Sequence, residues 1–299
     1  MNNNAVHFAV DGNEANVSNR VGSNVYAFEI LKQLFFFSES RKDIEWTILL
    51  AQAPLEDFPA ETHNWHYRVI GPRKFWTQWA LPLHLYQFRK TYDLLYTPGH
   101  YAPRFSPVPY VSSVMDLAFL HFPKQFTGMD AFQLKHWTDY SVRSAQKVIT
   151  ISEFSKKEIN TLYGTPLKNI VVAPPSVSLE PKYSPLRWKR FIKKNDLRLG
   201  EYFLYLGTVQ PRKNLENLIE AFEIFCQRKP QLVIAGKTGW LADGVLKRRE
   251  ASPLKEQIIL TGYIDNSMKY PLYQNAVASV LVGTYEGFGI PPLESLSVG

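Results

Sequence analysis

Short apolar runs alternate with stretches of helical periodicity along most of the chain. The first run, Val6–Val10, ends in the turn residues Asp11 and Gly12. Alternation of this kind predicts βαβ units that build parallel sheets. The strands predicted in the first half are Val6–Val10, Trp46–Leu50, Leu94–Tyr96, Tyr110–Val114, Val148–Ile151 and Ile170–Ala173.

Helices are predicted between these strands by apolar residues at spacings of three and four. The positions from Val25 to Leu34 form one such pattern, and Leu81–Arg89 forms another. The helix after residue 151 has two candidate N-caps, Ser152 and Ser155, and the spacing of Ser155 and Glu158 fits a capping box.

The pattern is interrupted between residues 174 and 200, where four prolines and the basic run 187–190 occur. We interpret this stretch as a boundary, with an N-terminal domain at 1–180, a linker at 181–200 and a C-terminal domain at 201–299. A helix capped by Asn214 and a last helix beginning at Pro291 are predicted in the second half. Its predicted strands are Tyr202–Leu206, Leu232–Ala235, Ile258–Leu260 and Val277–Val282.

Two doubly wound α/β halves predict a ligand in a cleft between them, at the carboxyl ends of the strands.

Composition narrows the class of protein. The single cysteine, Cys226, excludes a disulfide framework and a cysteine-built metal site. The N-terminus lacks the pattern of a signal peptide, and the apolar runs are too short to span a bilayer. We therefore expect a cytoplasmic protein.

The net charge of +7 is confined to residues 1–198, since residues 199–299 carry ten basic and ten acidic side chains. Aromatic residues crowd one stretch of this basic part, from Trp65 to Tyr92. A basic aromatic surface can meet anionic lipid headgroups, a nucleic acid or an acidic substrate. The alternative is a solvated face with aromatic residues in the core. We expect peripheral contact with the inner face of a membrane, and we do not expect a nucleic-acid partner.

The most specific chemical signal lies at residues 285–294. Glu286 and Glu294 stand eight positions apart, separated by Gly287, Phe288 and Gly289 and by the start of a helix. Glycines let backbone N–H groups approach a ligand, and a helix N-terminus favours an anion. We expect Glu286 at the loop and Glu294 in the first helical turn. A tight turn and a charge that suits the helix dipole are the structural alternatives.

This segment resembles the Glu-x7-Glu motif of retaining family-four glycosyltransferases, which have the two-domain GT-B fold. Other stretches resemble that family in the same order. These stretches are Asp116–Phe119, Ile151–Lys156, Gly207–Leu215, Leu232–Lys237 and Leu260–Tyr263, and they indicate the mannosyltransferase-B-like subgroup.

The resemblance implies a nucleotide-sugar donor, with GDP-mannose as the expected one, and a glycan or lipid-linked acceptor. Charge builds on the departing phosphate, and Arg212 and Lys213 supply two cations beside a predicted helix start. The sequence contains no Asp-x-Asp pair, so we expect neither a metal nor another cofactor.

The resemblance also assigns roles to the remaining candidates. Glu286 and Asp116 are expected to be catalytic, with Glu286 on donor-sugar hydroxyls, and Glu294 is expected to bind the ribose. Gly22 is expected near the diphosphate or the acceptor. Gly287, Phe288 and Gly289 are expected to contact the donor sugar or ribose, and Gly236, Lys237 and Tyr263 to lie near the base.

Two features depart from the family. Met115 stands where the family has a histidine that reaches the donor sugar. The chain also ends where family members continue, so we expect an incomplete second domain, an edge strand at Val277–Val282 and self-association. These features leave a second hypothesis open, a catalytically inactive sugar-nucleotide-binding remnant. A GT-B epimerase or phosphorylase is a third.

Overall fold

The structure is a computed structural model, and it describes residues 5–20, 22–99, 101–177, 179, 181–225 and 230–299. Cys226 lies outside the described residues. The chain divides into two compact units. The first comprises the residues up to Leu120 together with Met129–Pro174, and the second comprises His121–Gly128 together with Pro175–Gly299.

The first unit is built on a parallel sheet of seven strands in the order β3-β2-β1-β4-β5-β6-β7. The change of direction between β1 and β4 is typical of a doubly wound fold. The strands are β1 (Val6–Asp11), β2 (Ile44–Leu50), β3 (Trp65–Val69), β4 (Leu94–Thr97), β5 (Tyr110–Ser113), β6 (Lys147–Thr150) and β7 (Ile170–Val172). The helices in this part of the chain are α1 (Ser23–Ser40), α2 (Leu81–Gln87), α3 (Ala118–His121), α4 (Gly128–Ser144) and α5 (Glu153–Tyr163).

The two faces of this sheet carry separate hydrophobic cores. Successive residues of a strand point to opposite faces. Val10 packs in one core with Phe28 and Leu31 of α1. Its neighbour Ala9 packs in the other with Leu85 of α2. Helices α1 and α2 therefore cover opposite faces of the sheet.

The second unit has a parallel sheet of four strands in the order β10-β9-β8-β11. The strands are β8 (Tyr202–Leu206), β9 (Gln231–Ala235), β10 (Ile258–Gly262) and β11 (Ala278–Ser279). The helices are α6 (Pro185–Asn195), α7 (Leu215–Phe225), α8 (Asp243–Glu250), α9 (Asn266–Gln274) and α10 (Ile290–Leu296). The predicted α/β class with two parallel sheets is confirmed.

The predicted linker 181–200 differs most from the structure, because it contains helix α6 and belongs to the second unit. Ser184 caps this helix by accepting a hydrogen bond from the Arg187 backbone N–H at 3.4 Å, and Pro185 occupies its first turn. Proline is favoured there, so it begins a helix in a segment whose proline content suggested a linker. Trp188 is buried against the second sheet.

Other boundaries also differ. The predicted strand Val277–Val282 is reduced to β11, which lies at one edge of its sheet. The helix predicted at Leu81–Arg89 ends at Gln87 and is preceded by a π-helical turn at Trp76–Ala80. Ser152, not Ser155, caps α5 through a 3.0 Å bond from the Ser155 backbone N–H, so the predicted capping box is wrong. Within the described residues, the helices are too short or too polar to cross a bilayer.

Candidate functional site

The carboxyl ends of three neighbouring strands in the second unit carry glycines. Gly207, Gly236 and Gly262 follow or end β8, β9 and β10. The Gly236 N–H donates to the Gly262 carbonyl at 3.0 Å, and a Cβ added to Gly236 would lie 2.0 Å from the Gly207 carbonyl oxygen. Glycine is therefore required where these two strand ends approach each other, at the edge of the sheet where doubly wound folds bind ligands.

The turn after β8 carries Arg212 and Lys213, and both contact Glu286, which lies 73 positions after Lys213 in the chain. Lys213 Nζ lies 2.5 Å from Glu286 Oε1, and Arg212 Nη1 lies 3.5 Å from Glu286 Oε2. Arg212 Nη1 also donates to the Tyr285 carbonyl at 3.2 Å. The structure thus brings three predicted site residues together, and we call them the Arg212–Lys213–Glu286 cluster.

This cluster is partly shielded from water and carries one net positive charge. The three side chains are between 13% and 21% exposed. Partial burial lowers the effective dielectric constant, so charges act more strongly here than on an open surface. Two cations that share one carboxylate favour the approach of an anion.

The loop before α10 is built to bring Glu286 close to the main chain. The Thr284 N–H donates to the Arg212 carbonyl at 3.0 Å, which ties this loop to the turn after β8. A Cβ added to Gly283 would lie 2.5 Å from Glu286 Oε1. Gly283 is therefore a site residue that sequence reasoning missed, although its position four residues before Gly287 could have suggested a glycine-rich loop.

Glu294 is placed differently from the prediction, since it lies in the second turn of α10 and is only 3% exposed. Its Oε1 lies 2.5 Å from Lys269 Nζ, and its Oε2 accepts a hydrogen bond from the Tyr273 hydroxyl at 2.8 Å. Burial, together with the negative charge of Glu294, raises the pKa of Tyr273 above its ordinary value. Glu294 therefore joins α10 to α9.

The other predicted residues of the second unit lie around these features. Gly289 has φ +99° and immediately precedes α10, with Gly287 and Phe288 in the loop before it. Lys237 follows β9 and Tyr263 follows β10, and both side chains are exposed.

Two predicted residues, Asp116 and Gly22, belong to the first unit. Asp116 Oδ1 accepts a hydrogen bond from the Ala118 N–H at 3.1 Å, at the start of α3. Met115 is buried, and its carbonyl accepts a bond from the Ser155 hydroxyl at 3.0 Å. Gly22 precedes α1 with φ +53°, a conformation that favours glycine, and a Cβ added there would meet nothing within 4 Å.

The first unit contains a pocket of about 650 Å³ that sequence reasoning did not identify. Asp11, at the end of β1, is buried in its wall, and both carboxylate oxygens accept from Trp76 Nε1 at 3.0 Å. Burial raises the pKa of Asp11 to about 6. Arg73, Tyr101 and Trp137 also line the pocket.

Glu14, which precedes α1 in the chain, lines the same pocket and contacts the first residues of that helix. Its Oε1 accepts hydrogen bonds from the Ser23 hydroxyl at 2.7 Å and from Asn24 Nδ2 at 2.9 Å. A carboxylate at this helix start complements the positive end of the helix dipole. Carboxylates and aromatic faces suit a ligand that donates hydroxyl protons and also presents apolar surface.

A metal ion would need several His, Cys, Asp or Glu side chains close together. In the ranges that the structure describes, no group of three or more such side chains is placed to hold one. The expectation of a site that works without metal stays a prediction.

Comparison with known proteins adds independent information. Residues 189–299 match the sequence model of the family Glycosyl transferases group 1. The chain is 30% identical over 240 residues to O-antigen chain mannosyltransferase B of Escherichia coli, which covers 78% of this chain and 60% of that protein. It is 24% identical over 185 residues to O-antigen chain mannosyltransferase RfbU of Salmonella typhimurium, covering 62% of this chain and 48% of that protein. The chain thus spans about half to three fifths of these curated relatives.

A solved structure, that of HepE from Anabaena in complex with UDP and glucose, superposes with a TM-score of 0.66 at 17% identity. The superposition covers 98% of this chain and 78% of that one, so the similarity of fold extends over nearly all of this chain. The predicted GT-B fold and the resemblance to glycosyltransferases are thereby confirmed: the chain has the fold of the GT-B glycosyltransferases, and its residues 189–299 carry the sequence signature of Glycosyl transferases group 1.

Proposed function

We propose that this protein transfers a hexose from a nucleotide sugar to an acceptor hydroxyl, with retention of configuration, and that its second unit holds the donor. The observation that carries the proposal is the Arg212–Lys213–Glu286 cluster, formed by two motifs 73 positions apart. Both motifs lie inside the segment that matches Glycosyl transferases group 1.

The cluster suits a nucleoside diphosphate as leaving group. Lys213 donates a hydrogen bond to the Glu286 carboxylate, and Arg212 forms an ion pair with it. Phosphate oxygens compete for the same donors and accept strong charge-assisted hydrogen bonds from them. When the two cations turn to phosphate, Glu286 is released to accept hydroxyl protons of the donor sugar. The cations then stabilise the charge that builds on the diphosphate as the glycosidic bond to it breaks.

The proposed donor is GDP-mannose, used without a metal ion. Its support is the pair of O-antigen mannosyltransferases that the chain resembles at 30% and 24% identity. Two side-chain cations take the place that a divalent cation has in other sugar-nucleotide sites. In this proposal Gly287, Phe288 and Gly289 line the sugar, Gly236, Lys237 and Tyr263 lie near the base, and Glu294 contacts the ribose.

The proposed acceptor site is the pocket of the first unit. Glu14 accepts hydrogen bonds from Ser23 and Asn24 at the start of α1, directly after Gly22. A carboxylate there repels phosphate and attracts hydroxyl donors, so we assign Gly22 to the acceptor side. Asp116 holds the start of α3 through its bond to the Ala118 N–H and serves to position that segment. The acceptor is a glycan or a lipid-linked glycan of surface-polysaccharide assembly at the cytoplasmic face of the membrane.

Thermal unfolding with GDP, UDP and ADP, each with and without EDTA, tests the donor proposal. A ligand at a hundred times its Kd stabilises the native state by about 2.7 kcal/mol. We expect GDP to give the largest shift and EDTA to leave that shift unchanged. Loss of the shift on chelation would contradict a metal-independent site. Binding of GDP-mannose without transfer or hydrolysis would favour the inactive remnant, which Met115 motivates.

A further inference from the structure

Four large apolar side chains of the first unit are exposed on helix α2, on the π-helical turn before it and at Phe75, which immediately precedes that turn. Phe75, Trp79, Leu83 and Tyr86 are between 47% and 64% exposed. In α2, Leu83 and Tyr86 are three positions apart and therefore lie on one side of the helix. Trp79, four positions before Leu83, and Phe75, four positions before Trp79, continue this spacing through the π-helical turn, and we call the four side chains the stripe.

The opposite side of this segment already serves the core. Trp76, Ala80, Leu81 and Leu85 are buried in the hydrophobic cluster beneath the sheet. A helix on the surface of a globular protein ordinarily turns a polar face outward once its apolar face is buried. Here both faces are apolar, and folding of this unit does not account for the outer one.

Basic residues stand at both ends of the stripe. Arg73 and Lys74 precede it, Arg89 and Lys90 follow it, and all four are exposed. The sequence has no acidic residue between Glu61 and Asp93. The other exposed positions between 72 and 91 are uncharged Pro, Gln and Thr residues.

A neighbouring loop extends the same surface. The Tyr86 hydroxyl donates to the Phe105 carbonyl at 3.2 Å, and the Phe105 ring is 68% exposed. Arg104 lies over that ring, 5.3 Å from its centroid. We call the stripe, the basic residues at its ends and this loop the aromatic–basic face.

We infer that the aromatic–basic face docks on an anionic lipid bilayer. Tryptophan and tyrosine favour the interface between water and hydrocarbon, and apolar side chains on a helix in that plane insert beneath the headgroups. Each nearby Lys or Arg strengthens attraction to anionic lipid by roughly fivefold. The apolar centre and basic ends match such a surface, whereas a nucleic acid requires the basic residues to follow its phosphates.

The face adjoins the pocket of the first unit, because Arg73 and Phe75 belong to both. Docking would therefore bring the headgroup of a lipid-linked acceptor to the pocket. This second step rests on the proposed function, whereas bilayer binding by itself does not.

Co-sedimentation of the 299-residue chain with vesicles tests the inference. We expect binding to vesicles that contain phosphatidylglycerol, weaker binding in high salt, and little binding to vesicles of phosphatidylcholine alone. The double variant Trp79→Gln/Leu83→Gln should bind at least about tenfold more weakly, since it removes inserted apolar surface. Arg89→Gln/Lys90→Gln should remove most of the preference for anionic lipid.

Phe36→Gln is the matched control, since Phe36 is 55% exposed on α1, which covers the opposite face of the sheet. It should bind vesicles like the wild type. An equal loss in this control, or equal binding to neutral vesicles, would overturn the inference. A third result would also overturn it: the Trp79→Gln/Leu83→Gln change abolishes a dimer, or a complex with nucleic acid, but leaves vesicle binding intact.

A direct readout is quenching of tryptophan fluorescence by brominated phosphatidylglycerol. We expect quenching in the wild type and a marked decrease in Trp79→Phe; undiminished quenching in that variant would count against insertion at this face. GDP binding should be unchanged in all of these variants. Failure of vesicle binding with intact GDP binding would therefore refute docking and leave the proposed function standing.

Discussion

In the second unit, the Glu286 carboxylate is shared by two cations. A change of charge at this one residue should therefore affect both binding of the nucleotide and transfer of the sugar. Glu286→Gln removes the competitor of phosphate for Arg212 and Lys213. A partly exposed ion pair is worth about 1 kcal/mol, so GDP should bind roughly fivefold more tightly to this variant. Transfer of the sugar should fall, because an amide is a weaker acceptor for sugar hydroxyls. Titration calorimetry with GDP measures the first effect, and weaker GDP binding would contradict the competition that we describe.

Glu294 supports both the fold and the proposed ribose site. Glu294→Gln leaves Lys269 without its buried counter-charge, and we expect a loss of roughly 1–3 kcal/mol in the free energy of unfolding. Guanosine and GDP should both bind more weakly, because ribose is common to them. Urea unfolding and calorimetry check the two effects. Glu256→Gln, at an exposed position, is the control and should behave like the wild type. A variant that keeps its stability would mean that the contacts with Lys269 and Tyr273 contribute little.

Asp11 should make the stability of the first unit depend on pH. Burial, with a smaller contribution from the charge of Glu14, raises its pKa to about 6 from an ordinary value of 3.8. Between these values the native state holds a proton that the unfolded state releases, so stability falls as pH rises through this window. Relative to Asp11→Asn, the wild type should lose up to about 3 kcal/mol between pH 4 and pH 7. Urea unfolding of both proteins across this range measures the difference, and a constant difference would argue against a raised pKa.

Some site residues could be predicted from the sequence because the motif itself carries them. Arg212, Lys213 and Glu286 were predicted one by one, and the structure adds that they meet. The surroundings of Glu294 could not be predicted, because its partners Lys269 and Tyr273 come from α9, whose helical pattern gives no sign of a carboxylate neighbour.

At the scale of elements, the second sheet depends on the close approach of two strand ends. A Cβ at position 236 would overlap the Gly207 carbonyl group, so Gly236→Ala must displace the end of β8 or β9. We expect a loss of roughly 1–3 kcal/mol in the free energy of unfolding, and weaker GDP binding as the turn after β8 moves. Gly128→Ala is the control, since a Cβ there meets nothing within 4 Å. Unfolding curves for both variants decide the matter, and equal stabilities would show that the strand ends relax without cost.

Predictions of elements succeeded where one periodicity dominated. The strands that begin near Val6, Trp46 and Tyr202 are mainly apolar runs, and their predicted bounds lie within two residues of the observed ones. Strand β3 was missed because Trp65–Val69 mixes aromatic and charged residues at the sheet edge. The sequence does not predict helix α6 because its segment contains prolines and basic residues, and the burial of Trp188 depends on packing that only the fold shows.

At the scale of the whole molecule, sequence and structure agree on two α/β units with the GT-B fold. The family signature covers residues 189–299, which lie in the second unit, and the proposed donor residues belong to that unit. The pocket of the first unit escaped prediction because Asp11, Arg73 and Trp137 lie far apart in sequence and only the fold assembles them.

The central claim is that the Arg212–Lys213–Glu286 cluster holds the diphosphate of a nucleotide sugar, and Lys213→Ala tests it most directly. The measurement is titration calorimetry with GDP and with guanosine, in EDTA, on the wild type, on Lys213→Ala and on the exposed-lysine control Lys247→Ala. A charge-assisted contact is worth about 1.5–3 kcal/mol, so GDP affinity should fall roughly 10- to 150-fold in Lys213→Ala while guanosine affinity stays the same. The control should match the wild type for both ligands. Equal losses for GDP and guanosine, or no loss for either, would show that Lys213 does not contact phosphate and would contradict the account.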